Sequence, residues 1–275
     1  MVEKALYNRI MRKGYSLVLV LILFSLPAVS LPVWGAEETP PAKKDVEQLR
    51  TRVVASYPHD RSAFTQGLLW HEGTLYESTG RYGTSTVRKV AAETGRVLLR
   101  HDLDGGFFGE GLAWTGDRFI QLTWYAGVAL VYDAELLPIG QMDYQGEGWG
   151  LTWDGDHLVM SNGSADLTFR SAETFEPLSN VTVTLRGQPL DGLNELEYVD
   201  GEIYANVWMK EWIARIDPET GEVTGVIDAS GLLTASEKRR VDVLNGIAYD
   251  PGSKTFWITG KFWPKMFQVV FEPAS

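Results

Sequence analysis

Apolar and polar residues alternate at period two in short runs that Gly, Asp and Pro interrupt. Residues 74–78, 118–123, 157–161, 202–207 and 255–259 each carry this alternation, the pattern of a half-buried strand. Ahead of each lies another run with a shared start: Gln66-Gly67-Leu68, Glu110-Gly111-Leu112, Trp149-Gly150-Leu151, Asn194-Glu195-Leu196 and Asn245-Gly246-Ile247. An aromatic residue follows two positions on, namely Trp70, Trp114, Trp153, Tyr198 and Tyr249. Glu72-Gly73, Gly116-Asp117, Asp154-Gly155, Asp200-Gly201 and Pro251-Gly252 supply the turn between the paired runs. Third strands follow, as at 86–90 and 212–216, and Glu93-Thr94-Gly95 and Pro218-Glu219-Thr220-Gly221 turn the chain into a fourth.

The middle residues of the shared starts, 67, 111, 150, 195 and 246, lie 44, 39, 45 and 51 residues apart. A period of roughly 40–50 residues with several strands per unit predicts propeller blades. The sequence therefore predicts an all-β, five-bladed β-propeller. Too few residues follow Gly246 for a full blade, while residues 51–57 form a strand without a unit. That strand is expected to pair into the last blade and close the ring. A pair of β-sandwiches is the alternative, and it leaves the repeated starts unexplained.

Composition narrows the setting. The chain has 275 residues, no cysteine and a net charge of −11. Disulfides, thiolate metal sites and a cysteine nucleophile are excluded. Lys4, Arg9, Arg12 and Lys13 precede an almost wholly apolar run to Trp34, and Val33 and Gly35 stand ahead of Ala36 as a cleavage signal would require. Residues 1–36 read as a signal peptide or an uncleaved anchor, 37–50 as a linker, and 51–275 as the propeller domain. Either reading of the leader exports the domain, to the periplasm or outside the cell. Cut there, the chain would carry −14, a balance that argues against nucleic acid or an anionic membrane surface as partner. The domain is expected to be a monomer. His59, His71, His101 and His157 fall in no ligand-like spacing, so no metal and no cofactor are expected.

Chemistry concentrates where the blade starts would meet. In a propeller the first strands line the channel, which places Gln66, Glu110, Trp149, Asn194 and Asn245 in one ring. Thr79, Trp124, Asn162, Trp208 and Lys261, at the ends of the second strands, would open on the same mouth. One carboxylate, one amine, several amides and three indoles then line a small-molecule pocket. Glu147 and Glu195 stand one residue out of register with the ring, so strand parity points them to the opposite face and to structural roles.

The motifs Tyr57-Pro58-His59-Asp60, Ala63-Phe64-Thr65-Gln66-Gly67-Leu68, Leu75-Tyr76-Glu77-Ser78-Thr79-Gly80, Phe108-Gly109-Glu110-Gly111-Leu112, Gln121-Leu122-Thr123-Trp124, Glu147-Gly148-Trp149-Gly150-Leu151, Leu193-Asn194-Glu195-Leu196-Glu197, Ala205-Asn206-Val207-Trp208, Leu244-Asn245-Gly246-Ile247-Ala248 and Thr259-Gly260-Lys261 occur in this order. Together they resemble the plant and bacterial type of glutaminyl-peptide cyclotransferase, from about residue 53 to 271. The resemblance implies a five-bladed propeller that converts the N-terminal glutamine of peptides or proteins to pyroglutamate without a catalytic metal. It implies Glu110 as the acid/base and Phe64, Gln66, Trp124, Trp149, Asn194, Trp208 and Lys261 as substrate contacts. Asn162-Gly163-Ser164 departs mildly, standing where Asp-Gly-Ser is expected. An exported propeller that binds peptide ends without turning them over is the alternative function. A sugar-lactonase type of propeller is a weaker one, because it would need several converging carboxylates and the ring holds only Glu110.

Overall fold

The computed structural model describes residues 45–274. The expected leader, residues 1–36, and most of the expected linker lie outside these residues. Among the described residues the chain is built from strands, the one helical segment being a single 3-10 turn at Lys238–Arg240. The first unit is an antiparallel sheet of Thr65–His71, Thr74–Thr79, Thr86–Ala91 and Arg96–Asp102. The second comprises Gly109–Trp114, Phe119–Thr123, Val128–Tyr132 and Pro138–Asp143, and the third Leu151–Trp153, Leu158–Met160, Asp166–Arg170 and Pro177–Thr182. Leu193–Val199, Glu202–Val207, Trp212–Ile216 and Val223–Asp228 form the fourth. Leu244–Asp250, Thr255–Gly260 and Lys265–Pro273 begin a fifth, which the opening strand Glu47–Pro58 completes.

The opening strand runs antiparallel to the last one, from Leu49 opposite Pro273 to Pro58 opposite Lys265. It starts four residues earlier than its sequence pattern predicts. Its first residues, Glu47 to Arg50, pair in parallel with Gly225 to Asp228 and so join the fourth and fifth units into one eight-stranded sheet. Polar Glu47, Gln48 and Arg50 hide this strand from a reading of alternation, since only Leu49 is buried.

Apolar side chains fill the spaces between successive units. Leu69 and Tyr76 of the first meet Leu112 and Phe119 of the second, and Ile120 and Leu122 meet Leu151 and Leu158 of the third. Val159 and Leu167 meet Leu196 and Ile203 of the fourth, whose Tyr204 and Ile213 meet Ile247 and Phe256 of the fifth. Ala248 and Trp257 of the fifth then pack on Leu68 and Leu75 of the first. Inner and second strands are thus buried on both faces, where the alternation predicts burial on one. The polar members of the alternation are buried too, and hydrogen bonds hold them.

The first strands of the units touch one another in cyclic order. Small residues permit the approach: a Cβ on Gly111 would lie 2.4 Å from Leu151 N, and one on Gly150 would lie 1.9 Å from Asn194 O. In the fourth unit Glu195 takes the equivalent place and spans the centre. Its two carboxyl oxygens accept the Leu68 and Ile247 backbone N–H groups at 3.1 and 2.7 Å. Burial pushes this carboxyl well above the ordinary range, nearby Glu197 adds to the shift, and the two N–H groups oppose it.

A buried ionic cluster fastens the end of the opening strand. His59 Nε2 faces Glu77 at 2.9 Å and its Nδ1 faces Trp263 O at 2.8 Å. Arg88 donates through two nitrogens to Glu77 and through a third to Asp60. Thr65 Oγ1 donates to the other Glu77 oxygen at 2.6 Å. Glu77 therefore serves three side chains, those of His59, Thr65 and Arg88.

Candidate active site

Four of the first strands carry an irregularity at the ring position. Gly109 pairs with Thr123 and Leu112 with Gln121, so Glu110 and Gly111 fall between two registers. The same shift occurs at Thr65/Gly67, Leu193/Leu196 and Leu244/Ile247. A bulge bends its strand and re-aims the side chain that it carries. In the third unit the strand begins only at Leu151, and Trp149 N donates to Ser161 O ahead of it.

These features frame a cavity of about 220 Å³ lined by Phe64, Gln66, Phe108, Glu110, Trp124, Trp149, Asn194, Trp208 and Lys261. A larger hollow beside Tyr57, Trp70 and Trp257 lies away from the ring. Glu110 and the seven substrate contacts that the family resemblance implies all line the smaller cavity. Phe108, which stands in one of the motifs, joins them as a wall. Asn245 sits behind the wall, with its Nδ2 donating to Thr65 O at 3.0 Å and to Gln66 Oε1 at 3.3 Å. Thr79 and Asn162, expected at the mouth, do not line it. Thr79 hydrogen-bonds Thr86 within the first unit, and Asn162 is exposed in a turn where it accepts from Ser164.

Glu110 is 4% exposed. Gln66 Nε2 donates to its Oε1 at 2.9 Å, and the contact from Asn245 fixes which way the Gln66 amide points. Burial raises the Glu110 carboxyl well above the ordinary range; the field of Lys261 opposes this and that of Glu147 adds to it. Lys261 is itself buried, which lowers its ammonium pKa, and it sits 4.7 Å over the Phe64 ring. The Asn194 Oδ1 atom is buried without a protein partner. A buried acceptor left unpaired is costly, so a donor on a bound molecule would fit it.

The indoles are held in place. Trp149 and Trp208 meet edge to face at 5.9 Å, while Phe108 lies 5.4 Å from Trp124. A single oxygen of Glu147 accepts both Trp124 Nε1 at 2.7 Å and Trp149 Nε1 at 3.0 Å. Strand parity points Glu147 away from the site, but residues 145–150 form no regular strand and parity does not apply there. The sequence signal that could have found it is an acid two residues before a channel tryptophan whose N–H needs a partner. Among the described residues no group of three His, Asp or Glu side chains converges as metal ligands would.

Comparison with known proteins finds relatives along most of the chain. The model of the family described as glutamine cyclotransferase matches residues 26–271. A glutaminyl-peptide cyclotransferase from Arabidopsis thaliana is 38% identical over 276 residues, covering 97% of this chain and 86% of that protein. The crystal structure of Myxococcus xanthus glutaminyl cyclase is similar at 40% identity and a TM-score of 0.79, covering 84% of this chain and 100% of that one.

Proposed function

The chain belongs to the glutamine cyclotransferase family, and we propose that Glu110 moves the protons of its reaction inside a cup of three indoles. The reaction turns an N-terminal glutamine of a peptide into pyroglutamate and releases ammonia. The cyclic packing of the inner strands and the apolar interfaces between successive units support reading the fold as a five-bladed propeller, with this cup at one mouth of its channel. The basic start and apolar run of residues 1–36 support export, which N-terminal sequencing of the mature protein tests.

The carrying observation is one buried carboxyl, with a raised pKa, facing a cavity sized for one side chain. Cyclisation joins the α-nitrogen to the γ-carbon, and the γ-carbon loses its nitrogen. Because the nucleophile is tethered, the cup mainly has to hold the side chain folded back on itself. Trp124, Trp149 and Trp208 supply flat apolar walls for the unbranched stem. Glu110 takes a proton from the attacking amine and delivers one to the departing nitrogen, which leaves the carboxylate as it began. A carboxyl raised by burial suits both transfers near neutral pH. Asn194 Oδ1 accepts an N–H of the glutamine carboxamide. Lys261 faces the oxygen on which negative charge develops.

Glu110→Gln keeps an oxygen that can accept from Gln66 and removes the proton carrier. Ammonia release from a Gln-initiated dipeptide should fall by about 10²–10⁴-fold while the fold is retained. Turnover within a few-fold of the parent rejects the assignment.

A further inference from the structure

Beyond the cup, a row of four aromatic rings runs from its wall to the surface. Tyr82 packs edge to face on Phe108 at 5.4 Å, Phe108 lies 5.4 Å from Trp124, and Trp124 lies 4.2 Å from Tyr125. The two middle rings line the cavity, whereas Tyr82 is 55% and Tyr125 60% exposed. Exposed apolar surface that is contiguous with a cleft marks binding sites, and tyrosine is favoured there because it gives up little rotamer freedom. Both loops are fixed. Gly83 N donates to Gly105 O, Ser85 Oγ to Arg81 O, and Gly109 N to Ser85 Oγ, which fastens the Tyr82 loop to the strand that carries Glu110. Tyr144 N donates to Gly127 O beneath Tyr125.

From this continuity with the cup we infer that Tyr82 and Tyr125 form a subsite for the second residue of the peptide, and that the subsite selects an aromatic or large apolar side chain there. The inference rests on the reaction assigned above. With the glutamine side chain and amine in the cup, its α-carbonyl must point out of the mouth toward the rest of the peptide. The next Cα lies about 3.8 Å further on, a step that brings the second side chain from the Phe108 and Trp124 wall to the exposed rings. A benzyl or isobutyl group can lie on those rings, while a glycine leaves them wet. The contact is with a side chain that does not react, so it acts on capture more than on the chemical step.

The test compares kcat/KM for Gln-Phe-amide and Gln-Gly-amide. The parent should favour Gln-Phe-amide about tenfold, as one ring on an apolar surface provides. The Tyr82→Ala/Tyr125→Ala double variant should lose that preference, its kcat/KM falling by a larger factor on Gln-Phe-amide than on Gln-Gly-amide. The Tyr82→Phe/Tyr125→Phe variant should keep the preference, since the rings and not the hydroxyls carry it. A parent without preference, a preference that survives the alanines, or an equal loss on both peptides overturns the subsite. Failure of the parent to cyclise either peptide overturns the assigned reaction instead.

Discussion

Glu147 acts on the cup in two separable ways, by position and by charge. Its oxygen holds two indole N–H groups, and its charge helps to keep the Glu110 carboxyl protonated. Glu147→Gln retains an acceptor and removes the charge, so the acid limb of the kcat/KM profile should move to lower pH with KM little changed. Glu147→Ala removes both, and KM should also rise several-fold because the indoles lose their common anchor. A pH–rate profile on a Gln-initiated dipeptide checks this, and an unmoved acid limb in Glu147→Gln refutes the charge effect. The residues that line the cavity were legible in the sequence because each sits at a fixed place in a repeat or in a motif. Glu147 was not, because strand parity assigns a side chain to a face only where a regular strand exists. Thr79 was misplaced for a different reason. It shares its position with Trp124 and Trp208, but its short side chain is satisfied by Thr86 before it reaches the mouth.

Among the elements, the ionic clasp at His59 has a defined pH window. Burial alone would lower the His59 pKa, but the charge and hydrogen bond of Glu77 overcome this and raise it above 6.5. Its stabilisation is therefore complete below that value and fades as pH rises through the raised one. Glu77 behaves in the opposite sense. Burial would raise it, yet Arg88 and His59 hold it well below 4.5, so its contribution is present above 4.5 and is lost as the medium acidifies through the lowered value. Asp60 and Arg88 face the same cluster. Against the effect of burial, hydrogen bonds from Ser62 and Arg88 hold the Asp60 carboxyl below its ordinary value, and Glu77 and Asp60 raise that of Arg88. His59→Gln should cost about 3 kcal/mol near pH 6, the usual consequence of breaking a buried pair, and visibly less near pH 9. Urea midpoints at the two pH values decide it; an equal loss at both would show that His59 holds the fold as a neutral ring. Nothing in the alternation pattern announces this clasp, since its members are scattered from His59 to Trp263. The bulges escaped as well. A bulge adds one residue to one strand and leaves the apolar order beside it intact, so only pairing reveals it.

For the molecule as a whole, the period of the shared starts carried most of the architecture. The opening strand was foreseen as a partner of the last unit, and that pairing is present along its length. Its parallel contact with the fourth unit was not foreseen, because parallel pairing at a polar strand end leaves no alternation to read. The acidic balance bears on the reaction only through the peptide. A net −11 draws the cationic amino terminus of a substrate toward the protein at low salt, before any contact in the cup.

The pairing of the first described strand with the last also sets an order on synthesis. Pro58 must wait for Lys265, its partner 207 residues later. At ribosomal rates of about 5–20 residues per second that is on the order of 10–40 s during which the strand has no antiparallel neighbour. Val223–Asp228 emerges sooner but covers only Glu47 to Arg50. A nascent chain thus carries an open edge until Lys265–Pro273 arrives, and the apolar face of the first unit, which the fifth covers, stays wet until that unit is made. Loss of Lys265–Pro273 would leave this edge without its antiparallel partner permanently, so the amino-terminal strand cannot complete its pairing until that segment is present.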